Sequence, residues 1–346
     1  MSAFTALKIK SIKKETEKSV SIAFDVPENL KSIYHFKAGQ YITLKTKINS
    51  EDIVRSYSIC SAPKSGELKI GVKAIPNGLF SNYALNNLNQ GDILDVSPPT
   101  GRFTIDDPHS KNNLLGIAAG SGITPILSIV NDVLDSNPES TFVLLYGNRS
   151  KKETMFSKEI SELQNLHSTR FFCYNIFSQE NNSDSEFGRI DSSFINFSIK
   201  KHPKLKLNKF LICGPEQLTT DSIEFLKSLG YNDILFELFF STSEKEIKQD
   251  QDKEEITAKI TFDFEDFEIV VPKEMTILEA ALENNIDVPY SCQGGVCSSC
   301  VGKITEGSAK MVINNVLSEG EISDGLTLAC QAIPTSKSIS INFDDV

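Results

Sequence analysis

Four cysteines constrain this 346-residue chain more than any other feature. Cys292, Cys297, Cys300 and Cys330 stand in the spacing C-x4-C-x2-C-x29-C. Three thiolates on one tight loop, closed by a fourth from far along the chain, match the plant-type [2Fe–2S] arrangement. Zinc sites more often use paired knuckles, and zinc or free thiols are the alternatives that this spacing leaves. Disulfides fit poorly, because the chain has seven cysteines and the other three, Cys60, Cys173 and Cys213, are scattered. Within the loop, Gly294 and Gly295 remove the Cβ that would keep backbone N–H donors from the sulfurs.

The residues around the loop read as one small domain. Ala258 to Val271 alternates as a hairpin, with Ile260, Phe262 and Phe264 followed by Phe267, Ile269 and Val271. Thr276 opens a helix that places Leu278, Ala281 and Leu282 on one face. Residues 257–346 carry 5 basic residues against 14 acidic ones, a net of −9. Residues 241–256 are polar and almost free of apolar residues, at 3 basic against 6 acidic, and read as an interdomain linker or a solvated exposed helix. The first 240 residues are nearly neutral, and the whole chain has a formal charge of −11. That balance argues against a nucleic-acid partner, since phosphate binding needs a basic surface. No apolar run approaches the roughly 20 residues of a membrane helix, and the start lacks a signal-peptide core. The expected setting is the cytoplasm, with no membrane partner.

A one-electron centre needs a source of electrons, and two further domains precede it. Residues 1–106 hold six short strand patterns separated by turn signals, which predicts an antiparallel β-barrel. They include Phe36-Lys-Ala-Gly-Gln-Tyr41, Arg55-Ser56-Tyr57-Ser58 and Gly78-Leu-Phe-Ser81 at the start of a helix. A glycine and a serine there offer N–H donors to a phosphate, or form an ordinary cap. Residues 107–240 alternate strand and helix, which predicts a doubly wound parallel α/β sheet. Its strand ends carry Gly120-Ser-Gly122-Ile-Thr124-Pro125, Gly147-Asn-Arg149 and Cys213-Gly214-Pro215-Glu216. Ligands of such sheets sit at those ends. The first of these is a phosphate-cradling turn but not the dehydrogenase fingerprint G-x-G-x-x-G.

The ordered series FxxGQY, RSYS, GxxS, GSGITP, YGNR and CGPEQL, then the cysteine motif, resembles the ferredoxin–NADP reductase superfamily with a C-terminal ferredoxin domain. Within it the series is most similar to the oxygenase reductases of the phenylacetyl-CoA epoxidase type. The resemblance implies a multidomain protein: a flavin β-barrel (1–106), an NAD(P)-binding α/β domain (107–240), a charged linker (241–256) and a β-grasp ferredoxin domain (257–346). It implies that Arg55 and Ser56 lie at the flavin, Arg55 neutralising its phosphates, and that Tyr57 packs on the ring. Ser58 would hydrogen-bond near the reacting nitrogen, and Gly78 and Ser81 would hold the pyrophosphate. Gly120, Gly122 and Thr124 would border the nicotinamide nucleotide, with Cys213, Gly214 and Pro215 beside it. Ser58, Thr124 and Cys213 would be nearest the chemistry, with a buried strand-end cysteine as the alternative reading of Cys213. Glu237-Leu-Phe239 resembles a family ending whose aromatic covers the flavin; here Phe239 or Phe240 could serve.

Cofactor expectations follow. FAD is preferred over FMN, because the Gly78 and Pro98–Phe103 motifs resemble the FAD pattern. Asn148-Arg149-Ser150-Lys151-Lys152 holds no acid, so Arg149 favours the 2′-phosphate of NADPH, with NADH as the alternative. A hydride carries two electrons and an iron–sulfur cluster takes one, so a flavin must stand between them. The implied activity passes electrons from NAD(P)H through FAD to the cluster and on to an oxygenase component. Other acceptors are a haem protein, a desaturase or a redox-stress protein; a passive ferredoxin-like carrier is a further reading.

Overall fold

A computed structural model describes residues 4–183, 185–239, 255–284, 286, 288–290, 294–295, 298–314 and 316–346. They form two compact units, residues 4–239 and residues 255–346. The linker read at 241–256 lies almost wholly outside the described residues.

The first unit begins with β1 (Thr5–Thr16), β2 (Ser19–Asp25), β3 (Tyr41–Ile48), β4 (Glu51–Ser58), β5 (Leu68–Lys73), helix α1 (Leu79–Asn86) and β6 (Ile93–Val96). The six strands run antiparallel in the order β4-β3-β6-β1-β2-β5. A bridge from Ile59 to Ile70 joins the two edges, so the sheet closes on itself. Closure hides the unpaired edges that an open antiparallel sheet would expose. Inward residues such as Leu7, Ile22, Ile42, Leu44, Ile70 and Val96 are buried and fill the barrel.

The chain then changes period. Strands β7 (Asn113–Ala119), β8 (Thr141–Asn148), β9 (Phe171–Phe177), β10 (Glu186–Phe187), β11 (Lys209–Gly214) and β12 (Ile234–Leu238) alternate with α2 (Ile123–Ser136), α3 (Ser157–Leu166), α4 (Ser192–Lys201) and α5 (Glu216–Ser228). The sheet is parallel, in the order β10-β9-β8-β7-β11-β12. The central strands β7, β8 and β11 bury both faces, as a sheet covered by helices requires. Leu114, Phe142 and Leu144 pack with α2 and α3, whereas Leu115, Val143 and Leu145 pack with Ile195 of α4 and Leu226 of α5. Ala38, Cys60, Phe103 and Ile105 of the barrel region join the α2 core, which makes barrel and sheet one unit. Helix α4 and the short β10 had no counterpart in the sequence reading. Asp191 caps α4, its side chain accepting from the N–H groups of Ser193 and Phe194.

The second unit holds β13 (Glu255–Phe262), β14 (Glu265–Pro272), α6 (Ile277–Glu283), β15 (Val301–Glu306), β16 (Ala309–Met311), α7 (Glu319–Ser323), β17 (Leu326–Leu328), β18 (Ala332–Pro334) and β19 (Ser338–Asn342). Its five-stranded mixed sheet runs β14-β13-β19-β15-β17, with β13 parallel to β19. Helix α6 starts in a full capping box: the Thr276 hydroxyl accepts from the Glu279 N–H and the Glu279 carboxylate accepts from the Thr276 N–H. Ile277, Leu278, Ala280 and Ala281 then bury one face against the sheet.

Candidate functional site

The glycine turn between β7 and α2 packs directly against the end of β11. A Cβ on Gly122 would lie 2.1 Å from the Cys213 carbonyl oxygen, so this position must be glycine. Gly120 has a φ of +56°, a conformation that favours glycine. The buried Tyr146 hydroxyl donates toward the Gly120 carbonyl at 3.1 Å and bolts the turn to β8. Thr124 is buried, and its hydroxyl donates to the Ser121 carbonyl at 3.0 Å, so it shapes the turn from inside. Gly214 lies against Ala119 and Leu218, and Pro215 starts α5. The structure therefore gathers Gly120, Gly122, Thr124, Cys213, Gly214 and Pro215 at one place, the carboxyl ends of β7 and β11.

Charge converges on the same place from the barrel. Lys73, at the end of β5, holds its ammonium 3.5 Å from where a Gly120 Cβ would stand. Burial above all holds its pKa below the ordinary lysine value; Glu153 opposes the shift, and Arg149 and Lys18 add to it. Lys18 and Glu153 are themselves paired at 3.4 Å. The amide of Asn148 is buried at the end of β8 with no well-formed hydrogen bond among the described residues. A turn with glycine at both ends, a half-buried cation and a buried amide without a well-formed bond fit a dinucleotide phosphate and its flanking sugar. Near the exposed Arg149, Glu180 accepts the Lys151 N–H at 2.8 Å. Backbone bonding from Lys151 and the Asn182 amide lower its pKa. The sequence segment around Arg149 is free of acids, but the fold brings one to it from the loop after β9.

Ser58, at the end of β4, donates from Oγ to the Glu237 carboxylate at 3.1 Å. Glu237 is paired in register with Cys213 across β11 and β12. The Cys213 thiol is fully buried, and burial, with Glu237 adding to it, pushes its pKa well up. It is thus a neutral thiol. Beside Ser58, Tyr57 lies 5.4 Å from Phe80 of α1, ring to ring. Ser56 bonds Thr43 at 2.8 Å, and Arg55 donates to the Val54 carbonyl at 2.7 Å. A cavity of about 470 Å³ opens at the start of α1, lined by Gly78, Asn82, Tyr83, Asn49, Asn77 and Lys47 among others. Its size is that of a small-molecule site. Ser81 does not face it: its hydroxyl receives the Ile75 N–H at 3.3 Å and its side chain is buried. Phe239, just past β12, is 39% exposed, as a ring awaiting a planar partner would be. Phe240 lies outside the described residues.

In the second unit Cys300 and Cys330 are buried, and their sulfurs lie 3.2 Å apart, beyond disulfide bonding distance. The Cys300 carbonyl accepts the Ala329 N–H at 2.9 Å, which fixes one cysteine relative to the other. Cys292 and Cys297 lie outside the described residues. Gly295 has a φ of +73°, and a Cβ there would meet the Ile313 carbonyl oxygen at 2.7 Å. Two unbridged buried thiols at the mouth of a glycine-dependent loop fit an iron–sulfur cluster better than a disulfide.

A barrel, a nucleotide-type sheet and a cysteine-loop domain define a modular electron-transfer oxidoreductase, and comparisons with known proteins agree. Three family models match: Oxidoreductase FAD-binding domain over residues 6–105, Oxidoreductase NAD-binding domain over 117–223, and 2Fe-2S iron-sulfur cluster binding domain over 260–335. The chain is 37% identical over 358 residues to a subunit of the 1,2-phenylacetyl-CoA epoxidase of Escherichia coli, covering 99% of each. It is 28% identical to the ferredoxin reductase component of 3-ketosteroid-9-alpha-monooxygenase from Rhodococcus rhodochrous, covering 97% of this chain and 96% of that one. The solved structure of phthalate dioxygenase reductase superposes with a TM-score of 0.61 at 22% identity, over 98% of each chain.

The chain belongs to the family of FAD- and [2Fe–2S]-dependent oxidoreductases that includes this 1,2-phenylacetyl-CoA epoxidase component. It is an NAD(P)H-dependent, ferredoxin-type reductase whose cofactors are FAD, a nicotinamide nucleotide and a [2Fe–2S] cluster. No helix among the described residues is long and apolar enough to cross a membrane.

Lys73, Asn148, Glu180 and Glu237 were not assigned from the sequence. Glu237 and Asn148 stood inside motifs already quoted. Lys73 carried one signal, a lysine closing an apolar strand, and its meaning depended on the turn it faces.

Proposed function

We propose that this protein is the reductase component of an oxygenase of the phenylacetyl-CoA epoxidase type. What carries the reading is the 37% identity across 99% of both chains, with all three cofactor domains in electron-transfer order. When bound, the nicotinamide supplies a hydride, the flavin splits its two electrons, and the cluster passes them on singly.

The chain's residues supply position and field. Gly120, Gly122 and Thr124 shape the turn that receives the nucleotide phosphates, with Lys73 and Asn148 as their polar partners. Arg149 is the contact for a 2′-phosphate and favours NADPH. Cys213, a neutral buried thiol, with Gly214 and Pro215 walls the place of the nicotinamide without adding a charge. Arg55 neutralises the flavin phosphates and Ser56 braces β4 against β3. Tyr57 and Phe239 cover the ring, and Ser58, its proton held by Glu237, presents Oγ as a hydrogen-bond acceptor at the reacting edge. Gly78 admits the pyrophosphate and Ser81 fixes the loop before it. Cys292, Cys297, Cys300 and Cys330 hold the cluster. The domains divide at 106, 240 and 256.

The test is reconstitution with the remaining subunits of 1,2-phenylacetyl-CoA epoxidase. NADPH consumption should depend on phenylacetyl-CoA and on both preparations. Consumption that ignores the acyl-CoA, with reduction of unrelated protein acceptors intact, removes the epoxidase assignment and keeps the reductase.

A further inference from the structure

The turn between β13 and β14 carries a feature the fold does not need. Its two central residues, Asp263 and Phe264, both have positive φ, +56° and +62°. Two-residue hairpins of this kind favour Asn-Gly, because only small or polar residues tolerate that backbone. A phenylalanine there is strained, by on the order of the left-handed penalty that glycine avoids. Its ring gains nothing from the core in return: Phe264 is 91% exposed, the most exposed large apolar side chain among the described residues. The strain is held in place by one clamp. The Asp344 carboxylate accepts the N–H of Asp263 at 2.9 Å and that of Phe264 at 2.8 Å.

Register places this turn at the cluster end of the sheet. Thr261 pairs with Asn342, and Asn342 with Lys303. Counting on by two residues along each strand brings Asp263 level with Asp344 and with Val301, which follows Cys300, and Phe264 crosses from there toward β14. Two strand spacings, about 10 Å, separate the rows of β13 and β15. Val301 pairs with Leu328, so Cys330 emerges at that same end. The strained aromatic therefore stands at the end of the sheet where Cys300 and Cys330 lie.

The charges around it define what it can meet. Asp266 is paired with Lys259 at 2.8 Å and Asp345 with Lys303 at 3.1 Å. The carboxylates of Asp263 and Glu265, on either side of the ring, are exposed and make no ion pair among the described residues. We propose that Phe264 is a pre-organised docking residue for the protein that takes electrons from the cluster. Its partner is a protein surface with an apolar socket bordered by lysine or arginine. A turn whose backbone is clamped before binding costs less entropy to dock than a mobile one, and flanking carboxylates steer a basic rim onto its ring. The inference rests on the reductase reading of the same domain and names the surface through which that domain delivers.

The experiment uses the full chain loaded with FAD and cluster, and cytochrome c, a lysine-rich haem protein, as the acceptor probe. Ferricyanide, a small acceptor that needs no docking, is the control. Phe264→Gly relieves the backbone strain, so cluster absorbance should persist to a higher temperature, by about 3 °C. The same variant should raise the KM for cytochrome c about fivefold, leave ferricyanide reduction unchanged, and be rescued by Phe264→Tyr. Stabilisation with unchanged cytochrome c kinetics would show a ring without a partner and overturn the proposal. So would a wild-type dimer in sedimentation that Phe264→Gly dissolves, since the ring would then serve a second copy. A wild-type protein that reduces ferricyanide but no protein acceptor defeats the reductase reading itself, and this inference falls with it.

Discussion

Ser58 and Glu237 illustrate how a site is built from single groups. A serine hydroxyl has one proton to give, and here it points at a carboxylate on a strand distant in sequence. That contact orients Oγ where the resemblance places the reacting flavin edge. Ser58→Ala should slow flavin reduction by NADPH about tenfold or more in stopped flow, with FAD still bound; an unaltered rate takes Ser58 off the site. Arg149 is a second single-residue case. Arg149→Glu should raise the Kd for NADPH far more than for NADH, since only one carries a 2′-phosphate. Equal weakening of both would remove that role. Glu180, at the Lys151 amide, sets the background against which Arg149 works. The type of residue at these positions was readable in the sequence. Which neighbour each one faces was not, because Glu237 lies 179 positions from Ser58.

At the scale of elements, helix α2 is held from its far end by one side chain. Arg170 donates to the Leu134 carbonyl in the last turn of α2, which a helix end leaves without a partner, and to the carbonyls of Asn137 and Ser140 in the loop after it. It also bonds His167 at 2.9 Å, through the imidazole Nδ1. A guanidinium has only protons to give, so Nδ1 must be the bare nitrogen. Burial first, and then the Arg170 charge, hold the His167 pKa below its ordinary 6.5, with Asp135 only partly opposing. The sign follows from linkage. Above the unfolded pKa both states are neutral and pH has no effect through this group. As pH falls below about 6.5 the unfolded chain binds a proton that the folded one resists, and stability declines. Denaturant unfolding of the protein should show this loss as pH is lowered through about 6.5, and His167→Gln should reduce it. Arg170→Ala should cost about 2 kcal/mol at neutral pH by the same assay. None of this was visible in the sequence, where α2 was legible from its apolar period but its C-terminal support was not. Helix α4 was missed for a related reason: Ser192 to Lys201 mixes polar and aromatic residues, and its start depends on a cap at Asp191.

For the whole molecule the question is how two units divide the labour. Removing one cluster ligand should separate them. Cys330→Ser should abolish the visible and paramagnetic signature of the cluster and cut cytochrome c reduction by more than about tenfold, because only one-electron delivery runs through it. Ferricyanide reduction by NADPH should survive, since the unit of residues 4–239 holds the flavin and nucleotide residues by itself. Loss of both activities together would mean that the cluster unit is needed for the first unit to fold.

The chain's order of domains and its cofactor classes were settled by local pattern. A period-two barrel, a strand–turn–helix alternation and four spaced cysteines are short-range facts, and short-range facts survive in a linear string. Tertiary structure alone decided that Lys73 of the barrel faces the Gly120 turn and that Glu180 reaches the Lys151 amide. It also decided that Asp344 clamps a strained Phe264 at the cluster end of its sheet. Such meetings join residues tens of positions apart through strand register and helix packing, and no residue carries in its own identity the address of the partner it will meet.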